Sequence, residues 1–202
     1  TVSRVVNDSP KVSPEVRKRV QKIIQSTGYQ PNAAARSLAS QRSNVIGLVL
    51  PRSVSSFFTD PFFPHLTQGI AFGCNDHNLT LSLFLTGSKE DEEKMYPRIS
   101  RRGLLDGILI QAGRPDETMI ERLTNSSIPS VIIGRPFETD GISYIDIDNV
   151  NAAIKATRHL INLGYQRIAT ITGNLDSTVS EDRLEGFKKA MTAAGRIIDD
   201  SL

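Results

Sequence analysis

The sequence holds one cysteine, three histidines and no tryptophan in 202 residues. A lone thiol, Cys74, cannot close an internal disulfide, and with His65, His77 and His159 it makes no metal-ligand cluster. A disulfide scaffold and a zinc module are both excluded, and no cofactor is expected. No run approaches the roughly 18 consecutive apolar residues that cross a bilayer. The apolar block of a secretion signal is also lacking at the N-terminus. The expectation is a soluble, cytoplasmic chain with no membrane partner. Missing too are a GxGxxG turn after the first apolar strand, a P-loop and a GxSxG elbow. Dinucleotide chemistry, P-loop phosphoryl transfer and serine hydrolysis thus lose their usual support, and no enzymatic activity is expected. His159 and Cys74 read as packed helix residues rather than catalytic groups.

What is present begins with 39% hydrophobic and 23% charged residues, enough to bury a sizeable core and to exclude disorder. The overall charge of +2 hides an asymmetry: residues 1–44 carry net +6 and the remaining 158 carry net −4. A basic head on an acidic body suits a polyanion at the head, most often nucleic acid, or a solvated helical face.

In the head, Ser13-Pro14-Glu15 is a helix start in which Ser13 can cap free N–H groups, Pro14 suits the first position and Glu15 favours the positive dipole end. Val16, Val20, Ile23 and Ile24 follow at helical spacing and define a narrow buried stripe; Gly28 ends the helix. Residues 1–7 also fit a helix, although Val2, Val5 and Val6 cannot make a core alone. Pro31-Asn32 opens an alanine-rich helical segment over 33–39 whose one large apolar residue is Leu38, a helix marginal by itself. Residues 40–44 read as a linker.

From Val45 the pattern changes to apolar strands at 45–50, 79–85, 107–110, 130–133 and 167–172. Helix-length stretches at about 61–77, 89–102, 116–125, 149–163 and 178–194 separate or follow them. Repeated βα units predict an α/β fold with parallel sheets covered on both faces, and ligands at the carboxyl ends of the strands. There Asp60 can cap a helix begun by Pro61, while Phe62 and Phe63 occupy its first turn. Those rings either stack on a sugar or base, with Asp60 accepting from hydroxyls, or fill core. Arg135 and Arg183 follow strands and offer fixed donor forks for hydroxyls, carboxylates or phosphates, or are surface cations. Asp146 and Asp148 lie where one group of βα units gives way to the next, and Asp148 can cap the helix near Asn149.

Four blocks in order, Thr1-Val2-Ser3-Arg4-Val5-Val6-Asn7, Val12-Ser13-Pro14-Glu15, Gly28-Tyr29-Gln30-Pro31-Asn32 and Ala35-Arg36-Ser37-Leu38-Ala39, resemble the DNA-binding head and hinge of the LacI/GalR family of bacterial transcription regulators. Further blocks resemble that family's periplasmic-binding-protein-like sensor, among them Asp60-Pro61-Phe62-Phe63, Val131-Ile132-Ile133-Gly134-Arg135, Asp148-Asn149 and Arg183-Leu184-Glu185-Gly186-Phe187.

The resemblance implies a homodimeric regulator, usually a repressor, switched by a small-molecule effector, often a sugar, bound between two sensor lobes. It divides the chain into a partial helix-turn-helix head (1–28), hinge helix and linker (29–44), first sensor lobe (45–147) and partial second lobe (148–202). Residues 1–7 become the later part of the recognition helix. Arg4 then reaches a base edge or phosphate of operator DNA, and Thr1, Ser3 and Asn7 hold the backbone. Ser13, Tyr29 and Asn32 join the DNA-facing set, and Leu38 becomes a minor-groove wedge. The effector set is Asp60, Phe62, Phe63, Arg135, Asp148 and Arg183. The family often has Asp where Gly134 stands, so one hydroxyl acceptor is missing. By the same resemblance the chain is an internal segment of a protein of roughly 330 residues, without the first helix and turn of the head and without the end of the second lobe. The competing expectation is a sugar-binding module without DNA-binding function.

Overall fold

The structure is a computed structural model that describes residues 2–6, 9–29, 42–101, 103–112 and 118–198. It divides into two compact units, residues 1–43 and 44–202.

The first unit contains α1 (Val2–Val6) and α2 (Pro14–Thr27). Val5 is the buried residue of α1. The turn between the helices is tied at Ser9, whose N–H donates to the Arg4 carbonyl at 2.8 Å and whose carbonyl accepts from the Arg17 guanidinium at 2.7 Å. The start of α2 corrects one expectation, because the Ser13 hydroxyl makes no capping bond. The Ser13 carbonyl still closes the first turn by accepting from the Arg17 N–H at 2.9 Å, and Pro14 fits the first helical position. At the other end Gly28 adopts a left-handed φ of 64°, and its N–H reaches the Ile24 carbonyl. The predicted stripe of α2 is only partly covered: no residue of this helix is buried, and Ile23 is 52% exposed. Two short helices have too little apolar area to bury one another. The expected hinge helix with Asn32 and Leu38 lies outside the described residues, as do Thr1 and Asn7.

The second unit is built on a five-stranded parallel sheet of order β2-β1-β3-β4-β5, from β1 (Val45–Leu50), β2 (Thr80–Leu85), β3 (Gly107–Gln111), β4 (Ser130–Ile133) and β5 (Tyr144–Ile145). Val45 pairs with Thr80 on one side of β1, and Ile46 with Gly107 on the other. Successive side chains of a strand point to opposite faces, so β1 feeds two layers. Leu48 and Leu50 pack with Phe57 and Phe63, whereas Val49 joins Met95, Ile99, Ile108, Ile110 and Ile132. The helices are α3 (Val54–Thr59), α4 (Phe62–Asp76), α5 (Lys89–Ile99), α6 (Thr118–Thr124), α7 (Asn149–Asn162) and α8 (Thr178–Ala193). The short α3 and the two-residue β5 have no counterpart in the sequence expectation.

α7 and α8 pack on each other at Gly186, where a Cβ would lie 2.7 Å from that of Ala153 and closer still to the Val150 carbonyl. The segment 167–172 is a correction: it is irregular, not a strand, and Ile171 is fully exposed. A strand exists by exchanging backbone hydrogen bonds with a neighbour, and no strand lies beside this run among the described residues. Among those residues no helix is long and apolar enough to cross a membrane.

Candidate functional site

Because all five strands are parallel, their carboxyl ends share one edge of the sheet, and the loops and helix starts that follow it carry most of the predicted effector residues. After β1 the chain enters α3, whose start is capped by the Ser53 hydroxyl accepting from the Ser56 N–H at 3.1 Å. Asp60 then shapes the turn into α4, its carboxylate accepting from the Phe62 N–H at 3.0 Å. Pro61 stands just before the helix instead of in its first turn.

The two adjacent aromatics divide between the alternatives the sequence left open. Phe63 is 4% exposed and stacks at 6.5 Å on Phe57, with the Arg52 guanidinium 5.3 Å from its ring centre. It is core. Phe62 is 51% exposed and meets Phe63 in a T-shaped arrangement at 5.3 Å, so about half of it remains open to solvent. Phe58 of α3 is exposed as well. The segment from Ser53 to Phe62 thus carries two exposed rings, the Ser53 and Ser56 hydroxyls and the Asp60 carboxylate, residue types suited to sugar rings.

Across the edge, the residues after β4 and β5 meet α8. Arg135 Nη2 donates to Asp182 Oδ1 at 2.6 Å, and this hydrogen bond holds the guanidinium pKa above its ordinary value. The Arg135 carbonyl accepts from the buried Thr178 hydroxyl at 2.6 Å. Arg135 is therefore engaged by protein groups. Arg183 donates from Nε to Asn149 Oδ1 at 3.0 Å, with its side chain otherwise reaching solvent. Asp148 is exposed and caps α7, accepting from the Asn151 backbone N–H at 2.9 Å and from its side-chain amide at 2.5 Å. Those bonds to Asn151 lower its pKa.

Three residues escaped the sequence expectation. Asn149 is buried behind Arg183. Thr178 ties α8 to the loop after β4. Gln111, the last residue of β3, has a buried Oε1 with no hydrogen-bond partner among the described residues. A polar residue directly after a buried apolar run was the available signal for Gln111; Asn149 was hidden by the stronger capping signal of its neighbour Asp148. The main grooves lie along α8 and at the amino ends of β3 and β4, and Phe62, Arg135 and Asp148 line none of them. In the first unit Ser3, Arg4, Ser13 and Tyr29 are all exposed.

A helix-covered parallel sheet carrying ligand-suited groups at its carboxyl edge, continued by a further helix pair, defines a periplasmic-binding-protein-like sensor. Residues 43–202 match the family model for periplasmic binding proteins and the sugar binding domain of the LacI family, and residues 1–32 match that for bacterial regulatory proteins of the lacI family. The chain belongs to the LacI family. It is 33% identical over 204 residues to the HTH-type transcriptional regulator CelR of Thermobifida fusca, covering 100% of this chain and 60% of that protein. To AglR of Rhizobium meliloti it is 36% identical over 203 residues, covering 100% and 56%. A solved CelR–cellobiose complex superposes with a TM-score of 0.74 at 32% identity, over 100% of this chain and 60% of that one. A lac repressor dimer bound to operator and an anti-inducer gives 0.78 at 23% identity, over 97% and 58%, a likeness of fold alone. The chain spans about 60% of the length of these relatives, which are named as transcriptional regulators and not as enzymes.

Proposed function

We propose that the whole protein is a sequence-specific DNA-binding transcriptional regulator, a cytoplasmic homodimer acting as a repressor, switched by a sugar held between two sensor lobes. The observation that carries this reading is the union in one chain of a net +6 head matching the lacI regulatory model and a sheet sensor matching the sugar binding domain. In it residues 1–28 form the DNA-binding head, 29–44 the hinge, and the lobes divide at 147/148. Ser3, Arg4, Ser13 and Tyr29 of the described residues face operator DNA, joined by Thr1, Asn7 and Asn32, and Leu38 is the minor-groove wedge. Phe62, Asp60 and Arg183 hold the sugar directly. Asp148 and Arg135 shape the opposite wall through the cap of α7 and the pair with Asp182, and Phe63 supports Phe62 from below. Neutral oligosaccharides fit this set best, since cellobiose is the ligand in the CelR complex and the exposed Phe62 follows directly on the Asp60 carboxylate that accepts from its N–H.

The test is enrichment of random-sequence DNA on the full-length protein, followed by titration with cellobiose, maltose and glucose. One operator motif is expected, bound about a thousandfold or more above random DNA. Arg4→Ala is expected to weaken operator binding by about 1–3 kcal/mol while leaving sugar affinity unchanged. One of the sugars is expected to shift operator affinity at least tenfold, about 1.4 kcal/mol. Sugar binding without any enriched motif would establish the sugar-binding module instead.

A further inference from the structure

The geometry points to Asn149 as a positioning residue that fixes the guanidinium of Arg183 for the effector, an inference that rests on the reading of Arg183 as a sugar ligand. Arg183 carries five N–H donors in one plane. A single bond to Nε, made at 3.0 Å by Asn149 Oδ1, leaves both terminal nitrogens unoccupied by Asn149 and pins the plane in which they lie. The acceptor is itself immobile. Asn149 is 2% exposed, so water does not compete for its amide.

The orientation of that amide is over-determined. Its Nδ2 donates to the Ile147 carbonyl at 3.1 Å and lies 3.4 Å from Asp146 Oδ1, so the oxygen has to face Arg183. An amide alone serves both sides: a carboxylate of the same size has no donor for Ile147 and stands against Asp146. The helix crossing supplies the reach. Gly186 lies one turn beyond Arg183 and on the same face of α8, and its lack of a Cβ lets α8 close onto Val150, the neighbour of Asn149. Adjacent on α8, Asp182 holds Arg135, so the second turn of this helix is docked at two consecutive residues.

Preorganising a donor fork matters because a flexible arginine loses rotamer freedom on binding that a held one has already lost. The experiment follows the Arg183 Nε–Hε resonance of the intact protein, assigned by its disappearance in Arg183→Lys, together with affinity for whichever of cellobiose, maltose and glucose the parent binds. In the parent Hε is expected to exchange slowly with water. Asn149→Ala, and the smaller polar change Asn149→Ser, are expected to speed that exchange at least tenfold and to weaken sugar binding at least tenfold, with no further loss when added to Arg183→Ala. Unchanged exchange in both variants overturns the positioning role while leaving Arg183 as a sugar ligand. Additive losses from Asn149→Ala and Arg183→Ala also overturn it. Faster exchange with sugar affinity unaltered in these variants and in Arg183→Ala overturns the assignment of Arg183 itself, and the inference falls with it.

Discussion

The runs Val45–Leu50 and 167–172 are both six residues long, both carry β-branched residues that favour strands, and both are followed by a loop and a helix. The first is an interior strand of the sheet, paired on both sides, with Leu48, Val49 and Leu50 fully buried. The second pairs with nothing among the described residues, and Ile171 is fully exposed. Their difference teaches that strand propensity is a capacity which a neighbour has to realise. The same contrast recurs between helices. α2 carries a clear apolar stripe with none of its residues buried, while α8, of weaker amphipathic pattern, buries Phe187, Ala190 and Met191 against its surroundings.

The sharpest test of that contrast is a pair of truncations in the 202-residue chain. Leu48→Ala removes a side chain with 0% exposure on an interior strand and is expected to cost about 2–5 kcal/mol. Ile171→Ala at 101% exposure is expected to stay within about 0.5 kcal/mol. Urea unfolding measures both. Comparable losses would show that 167–172 finds a buried partner in solution, and the contrast would collapse.

The next effect concerns the helix pair that follows the sheet. Gly186→Ala places a methyl against the Val150 carbonyl and Ala153. Backbone on one side and an unbranched methyl on the other cannot rotate away, so the change is expected to cost about 1–3 kcal/mol by overpacking. Gly69→Ala is the control, since a Cβ on that α4 glycine meets nothing within 4 Å. It is expected to be neutral or stabilising by up to about 1 kcal/mol. If both glycines tolerate alanine equally in thermal melts, α7 and α8 do not cross as closely as the structure has them.

Much of this was legible in the sequence, and the reasons are local. Four of the five expected strands formed where their apolar runs lie, because each has a partner in register. The helix start at Asp148 was visible because a capping side chain announces itself within three residues. Phe62 and Phe63 were located but could not be told apart: adjacent positions of a helix point about 100° apart, and which of them meets the core depends on Phe57 and Leu48, distant or unassigned in sequence. Arg135 was located as well, yet its partner Asp182 is 47 residues away, beyond any local pattern. Tertiary partners explain most of what was missed.

A smaller effect tests whether the sheet and the helix pair are tied as one piece. Asp182→Asn removes the carboxylate from Arg135 while keeping its shape, and the pair is partly exposed. The expected loss is about 1 kcal/mol or less, and it should shrink as salt is added. Arg135→Ala is expected to produce the same loss, and the double variant no more than either alone, which a double-mutant cycle reads directly. Additive losses would mean that the two side chains act separately and that the Thr178 hydroxyl on the Arg135 carbonyl carries the tie.

The smallest effect separates a helix start made by a charge from those made by hydroxyls. Asp148 accepts two bonds from Asn151, and its pKa is lowered by the backbone N–H first and then by the side-chain amide, with desolvation opposing and Lys155 adding a lesser lowering effect. A carboxyl whose pKa is lower in the folded chain than in the unfolded one stabilises the fold above its unfolded value, about 3.9 for an aspartate, and loses that contribution as pH falls through the folded value. The start of α7 should therefore loosen only in acid, below about pH 4, whereas the Ser53 cap of α3 and the Ser88 cap of α5 carry no such titration. Amide exchange, corrected for intrinsic rates, is the measurement: protection of the Asn151 N–H should fall across that window in the parent and stay flat in Asp148→Ser, while Ser56 and Asp91 N–H protection should not follow it. If Asn151 protection is flat in the parent, the Asp148 carboxylate is not what holds the start of α7, and the caps of the two regions are equivalent.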